Sequence, residues 1–277
     1  MSDRDRSGDH SVLVVGGTGR TGRAVISQLR GRDVPVTAIV RSPDKLPRGA
    51  AADPGLTVIE ADLLALSDAQ LMRHVSGHDV VISCLGHVIS VKGVFGAPRD
   101  LVAQATRRLC AAVDTLEPEQ PCRFILMSSV SVIDHTGPDR PLSVAERVAL
   151  SVIRAVEPPA RDNQRASEVL AARPATDPYV EWVVVRPDSL TEGDVGPYSL
   201  HGHRISSIFA ADHTAIANVA HFMSELATSS SVWSTWRGQM PVIVDADADA
   251  DADAKAAADA GAGVDVPAAP PRLGPGA

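Results

Sequence analysis

The 277-residue sequence predicts an α/β protein. It reads as a doubly wound, mostly parallel sheet with helices on both faces, a smaller irregular region near the C-terminal end, and a disordered acidic tail. Three observations carry this reading. The stretch Ser11–Gly22, SVLVVGGTGRTG, is an apolar strand, a glycine turn and the start of a helix. Short Val/Ile/Leu runs then alternate with segments of helical periodicity, as strands buried on both faces require. Finally, composition changes abruptly at Asp245, where Asp and Ala begin to alternate.

The glycines of the turn fall at Gly16, Gly19 and Gly22, with a fourth at Gly17. Gly16 and Gly17 are expected to supply positive φ after the strand. Gly19 lets a pyrophosphate approach the backbone, and Gly22 lets the helix pack close to the strand. The free N–H groups and the positive end of the helix dipole then face the phosphates. The spacing therefore predicts a dinucleotide site formed by Gly16, Thr18, Gly19, Arg20, Thr21 and Gly22.

In chain order, residues 1–10 form a polar leader. Strands are predicted at Val34–Val40, Leu56–Glu60, Val80–Ser83, Phe124–Met127, Val180–Val185 and Pro241–Val244. Helices are predicted at Ser67–Val75, with Ser67 as the N-cap, at Arg99–Val113, Leu142–Val156, Arg161–Ala172 and Thr214–Ala227. Tyr198, His201 and His203 are assigned to a loop. The apolar stripe of Thr214–Ala227, with Trp233 and Trp236 behind it, either covers the substrate end of the sheet or serves a subunit contact in a homodimer. The domain is placed at 11–244 and the disordered tail at 245–277. A calcium loop in the tail is disfavoured, because the glycine turn and terminal glutamate are missing.

In a parallel sheet of this kind ligands bind beyond the carboxyl ends of the strands. That rule selects Arg41 and Ser42, Asp62 and Leu63, Cys84, Leu85, Gly86 and His87, and Ser128 to Ser131. A carboxylate after the second strand would hold the ribose hydroxyl of NAD; this chain has Arg41, with Lys45 close behind. A guanidinium there pairs a 2′-phosphate, so the expected cofactor is NADP(H). Asp62 is positioned to accept from an adenine amino group.

The bulk numbers set outer limits. Net charge is −8, and seven Asp, one Lys and one Arg from Asp245 onward account for −5 of it. No basic face suggests nucleic acid. No apolar run has transmembrane length, and no signal-peptide core is present. Three widely spaced cysteines, Cys84, Cys110 and Cys122, read as reduced thiols in a cytoplasmic protein. The histidines form no zinc pattern, and neither a G-x-S-x-G nor a G-K-[ST] occurs.

Taken in order, GGTGRTG at 16–22, VRSPDKL at 40–46, EADLLALSD at 60–68, SCLG at 83–86, MSSVS at 127–131 and VVVRPDSL at 183–190 resemble the atypical short-chain dehydrogenase/reductases. The group is the NAD(P)H-binding, NmrA-like one that includes flavin and biliverdin reductases. The resemblance spans about residues 11–244 and implies NADPH bound by the loops selected above. Members of the group are reductases or redox-responsive binding proteins.

One departure is chemical. The usual enzymes use a Tyr with a Lys four residues later, the Tyr donating the proton. This chain has Tyr179 and Tyr198, and no lysine between residues 93 and 254, so that pair cannot exist. The region reads Asp162-Asn163-Gln164-Arg165 instead. Ser129 and His87 are the catalytic candidates, with His135 a further proton source. The favoured reading is an NADPH-dependent reductase of a small conjugated or carbonyl substrate: a flavin, quinone or aromatic ketone, protonated by solvent. Apolar loops at 87–98 (Val88, Ile89, Val91, Val94, Phe95) and 187–213 (Tyr198, Ile205, Ile208, Phe209) would wall the substrate. The alternatives are a non-catalytic NADP(H) sensor, and an epimerase, isomerase or dehydratase using bound nucleotide.

Overall fold

Strand β1, Val12–Val15, is buried at every position, and the reason is visible in which residues it contacts. Val12 and Val14 join one apolar cluster while Leu13 and Val15 join another, so each face of the strand has its own core. The computed structural model describes residues 10–47, 49–86, 100–135, 137, 146, 158–174, 176–205, 212–246 and 264–266. Expectations for His87, for the apolar loop residues between 88 and 98, for Ile208 and Phe209, and for the helix at 142–156 other than Glu146 lie outside the described residues.

The elements follow as α1 (Arg20–Arg30), β2 (Val36–Val40), β3 (Leu56–Glu60), α2 (Asp68–Val75), β4 (Val80–Ser83), α3 (Leu101–Leu116), β5 (Cys122–Met127) and α4 (Pro158–Ala171). Then come β6 (Val180–Pro187), β7 (Ser189–Thr191), β8 (Tyr198–His201), β9 (His213–Ala215), α5 (Ile216–Thr228), α6 (Ser230–Trp236), β10 (Val242–Asp245) and β11 (Val264–Val266). The large sheet runs β3-β2-β1-β4-β5-β6-β10-β8-β11. It is parallel from β3 through β10, and β8 and β11 are antiparallel additions at one edge. Strand order reverses at β1, which places the crevice between the ends of β1 and β4. This is the doubly wound architecture the sequence predicts.

Helices cover both faces. On one, Val25, Ile26 and Leu29 of α1 meet Val219, Phe222, Met223 and Leu226 of α5 over Val12, Val14 and Ile82. On the other, Leu71 of α2, Leu109 of α3 and Leu170 of α4 cover Leu13, Val81 and Phe124. The stripe on α5 thus packs against α1 within the chain, and Trp233 and Trp236 are buried with it. It covers a face of the sheet rather than its substrate end. Ser67 caps α2 as expected, its hydroxyl accepting from the Gln70 N–H while the Gln70 side chain accepts from the Ser67 N–H.

Two readings are corrected. Tyr198–His201 is a strand, not a loop: it adds antiparallel to β10, and Tyr198 is buried with its hydroxyl 2.9 Å from Nδ1 of His221. Tyr198 therefore belongs to the core and not to a substrate wall. The second correction concerns Asp245, read as the first residue of the tail. It ends β10, and its carboxylate accepts from the Ala215 N–H at 2.9 Å and from Asn218 Nδ2 at 2.7 Å, capping α5. Asn218 Oδ1 in turn accepts from the Gly196 N–H at 2.9 Å. Within the stretch beyond, Val264–Val266 lies antiparallel on β8.

Asp245→Ala removes the cap of α5 and strands buried Asn218. It is expected to cost about 1–2 kcal/mol and to lower the melting temperature by about 3–6 °C. A chain ended after Ala246 loses the Val264–Val266 strand and is expected to melt within a few degrees of the full chain. Calorimetry on the two variants checks both.

Candidate cofactor site

The turn after β1 is built by steric exclusion. Gly16 has φ +77°, and a Cβ there would lie 2.5 Å from the Cys84 carbonyl carbon and 2.6 Å from the Leu85 nitrogen. The backbone leaving β4 therefore passes directly beneath the turn. A Cβ on Gly22 would collide with the Gly16 carbonyl oxygen, and one on Gly17 would lie 2.7 Å from Cδ1 of Ile26. Gly17 is not in the left-handed region, contrary to expectation; its constraint is contact with α1. Likewise Gly22 abuts the turn itself rather than the strand. Gly19 differs from all three. Its N–H donates to Gly16 O at 3.0 Å, and a Cβ would meet only that oxygen, at 3.3 Å. Its exposed side faces open space, the cradle that a close-approaching phosphate needs.

Helix α1 starts immediately after Gly19, with no side-chain cap and no acidic residue in its first turn. Its leading N–H groups and positive dipole end are thus left for an anion. Arg20 is exposed and Thr18 half-buried, whereas Thr21 is buried, so Thr21 offers its backbone rather than its hydroxyl. Arg20 donates from Nε and Nη2 to Oε1 of Glu192, at 3.0 and 2.7 Å.

The other strand ends ring this turn. Arg41, after β2, is exposed, and among the described residues no side-chain hydrogen bond or ion pair engages it. Ser42 precedes a short 3-10 turn, Pro43–Lys45. After β3, Oδ1 of Asp62 accepts from the Leu64 N–H at 3.0 Å, so this carboxylate braces its own loop. Leu63 is buried, and its carbonyl accepts from Arg108. After β4, Cys84 is buried and burial pushes its thiol up to about 12; only its backbone serves the turn. Leu85 is half-buried, and Gly86 is exposed with nothing near a would-be Cβ.

Beyond β5 the expected hydroxyls are partly committed. Ser128 is buried, with Oγ 3.4 Å from Ser167 Oγ on α4. Ser129 Oγ accepts from the Ser131 N–H at 3.1 Å and lies 2.7 Å from Ser131 Oγ. His135 is exposed and lines a cavity of about 230 Å³ with Ile133, Gln164, Glu168 and Met240. Among the described lining residues, none comes from the glycine turn. Neither tyrosine reaches the site. Burial pushes the Tyr198 hydroxyl up in pKa, and Tyr179 sits at the amino end of β6, beyond the opposite edge of the sheet.

Three functional contacts escaped sequence reasoning. Asp162, in the region where a Tyr–Lys pair would fall, is 1% exposed. Its oxygens accept from the N–H groups of Val102 and Ala103 at 2.8 and 3.0 Å, at the start of α3. Arg186 is fully buried and donates to Met240 O at 2.6 Å and Val132 O at 3.2 Å, tying the loop after β5 to the start of β10. Glu192, on Arg20, lies in the 187–213 loop, which sequence reasoning named as a substrate wall for its apolar residues without selecting this carboxylate.

A glycine turn open at one residue, an uncapped helix start and a ring of parallel strand ends define a dinucleotide-binding α/β protein. Residues 16–230 match the family profile described as NAD(P)H-binding, and the chain belongs to that family. Among curated proteins no sequence matches. Solved structures share the fold at low identity. The anaerobilin reductase of Escherichia coli O157:H7 is 19% identical with TM-score 0.60, over 86% of this chain and 98% of the other. A short-chain dehydrogenase/reductase of Veillonella parvula in complex with NADP is 13% identical, with TM-score 0.62 over 86% and 96%. A proposed NADH-flavin reductase of Streptococcus pneumoniae is 18% identical, with TM-score 0.58 over 85% and 99%.

The glycines separate folding from binding. Gly22→Ala forces the turn apart and is expected to cost several kcal/mol, on the order of 3. Gly19→Ala should leave the melting temperature within about 2 °C and weaken dinucleotide binding about tenfold or more. Thermal melts and titration calorimetry read the two effects. The buried cysteines should all resist Ellman's reagent at pH 8 and react once guanidinium unfolds the chain.

Proposed function

We propose that the chain is an NADP(H)-dependent reductase acting on a small conjugated or carbonyl substrate, of flavin, quinone or aromatic-ketone type, without a Tyr–Lys pair. The observation that carries the cofactor half is Arg41: a cation at the end of β2, exposed and unengaged among the described residues, beside a turn whose open glycine faces outward. A guanidinium can grip a 2′-phosphate through two bonds. In this reading Gly16, Thr18, Gly19, Arg20, Thr21 and Gly22 hold the pyrophosphate, and Arg41 and Ser42 hold the 2′-phosphate. Asp62 and Leu63 flank the adenine, while Cys84, Leu85, Gly86 and Ser128 border the rest by backbone.

Bound NADPH supplies a hydride. What this chain adds is placement. Ser129, at the end of β5, orients the acceptor oxygen by donating its hydroxyl proton when it is not paired with Ser131. Asp162 is committed to α3 and moves no proton. An acceptor that spreads the incoming charge over a conjugated ring suits such a site, because solvent can protonate it afterwards. Sharing a fold with an anaerobilin reductase and a proposed NADH-flavin reductase is in keeping with this acceptor class. Among the described residues no helix is long and apolar enough to cross a membrane. The free, buried thiols suit the reducing cytoplasm. A small molecule is the expected partner; the net charge of −8 does not favour nucleic acid, and a homodimer is the expected assembly.

One observation favours the second reading, a non-catalytic NADP(H) sensor. Asp162, in the sequence region where a Tyr–Lys pair would fall, and Ser129, after β5, already have partners.

Arg41→Glu is expected to weaken NADPH about tenfold or more and NADH by less than about threefold. Equal affinity for the two cofactors before and after the change would sink the NADP reading. Oxidation of NADPH followed by absorbance, with FMN, menadione and an aromatic ketone as acceptors, separates the two functions. Tight NADP(H) binding without turnover on any of them assigns the chain to the sensor. Full activity in Ser129→Ala removes Ser129 from the chemistry.

A further inference from the structure

The Arg20–Glu192 pair joins two parts of the chain that lie far apart in sequence: the first residue of α1 and the loop that follows β7, 172 positions away. That loop is fixed at both ends. Strand β7 pairs with β9 up to Thr191, and Gly196 is held by Asn218. Glu192 and Asp194, between the anchors, are exposed. Among the described residues the polar contact reaching out from this tip is the one to Arg20. It lies beside the open face of Gly19.

We infer that Glu192 competes with the cofactor's phosphates for the Arg20 guanidinium, so that cofactor binding releases the 192–195 tip from the glycine turn. The inference rests on the dinucleotide reading of the turn. Glu192 Oε1 takes both Nε and Nη2, the edge of the guanidinium best shaped to grip a phosphate through two bonds. A carboxylate and a phosphate on the same cation repel each other, so the two exchange rather than add. The pair is easily broken: the side chains are 50% and 81% exposed, where water screens an ion pair heavily. A phosphate held also by the helix start is the stronger partner. Glu192 is thus a positioning residue that sets an order: cofactor first, then a freed tip on the acceptor side.

Titration calorimetry with NADP⁺ on the wild type, Glu192→Gln, Arg20→Gln and the double variant tests this. Both positions are exposed, and thermal melts verify that the variants fold. Glu192→Gln is expected to bind about fivefold tighter, because a competitor is gone. The same change in the Arg20→Gln background should do nothing. A second readout follows the tip: endoproteinase Glu-C should cut after Glu192 faster once NADP⁺ is saturating. Unchanged or weaker binding in Glu192→Gln, an equal gain without Arg20, or slower cleavage with NADP⁺ overturns the competition while leaving the cofactor reading intact. Failure of the wild type to bind NADP⁺ overturns both.

Discussion

The contact between the Gly16 carbonyl and the Cα of Gly22 governs the rest of the structure. It lets the chain leave β1, reverse through the four residues Gly16–Gly19 and start α1 against its own turn. Because Gly16 also rests on the backbone of Cys84 and Leu85, the same contact joins the ends of β1 and β4 at the point where strand order reverses. α1 is thereby aimed so that Val25, Ile26 and Leu29 face the sheet and α5, while Gly19 and Arg20 stay at the outer edge. A single methyl group at Gly16 or Gly22 would disturb the strand, the helix and the crevice together.

The loops around that crevice are held by two buried charges, Asp162 and Arg186, and by the half-buried Asp245. Asp162 fixes the start of α3 from α4, Arg186 fixes the segment after β5 to the one before β10, and Asp245 fixes the start of α5. Each joins a charge to backbone groups that regular structure leaves unpaired, at helix starts or in loops. Removing the charge from such an arrangement costs about 1–3 kcal/mol, because backbone groups are left without partners. The apolar strands build the sheet; these three charges decide where its connecting segments stand.

Much of the sheet was legible because its information is local. A run such as Val12–Val15 carries its own signal, and the Ser67/Gln70 box marks the start of α2 within four residues. What was illegible is non-local. Asp162 meets residues 59 and 60 positions away, and Arg20 meets one 172 away; no spacing rule reaches that far. Tyr198–His201 was missed for a different reason. It is four residues long, lies between Gly/Pro and Gly positions, and lacks a Val/Ile run, as a short antiparallel strand can. At the candidate site, the strand-end rule selects the loops that follow the parallel strands but not side-chain direction. Ser128 turns to Ser167, Asp62 to its own loop, and Thr21 inward, so residues chosen by position serve through backbone groups.

The packing of α1 against α5 also bears on how the chain is made. Val25, Ile26 and Leu29 leave the ribosome early, yet Val219, Phe222 and Met223, which complete their cover, follow about 190 residues later. At typical elongation rates of about 5–20 residues per second, that stripe waits roughly 10–40 s for its partner. During that time the nascent N-terminal half presents an apolar helix flank, a natural target for chaperones. The helix that springs from the glycine turn is thus covered only after most of the sheet has been made.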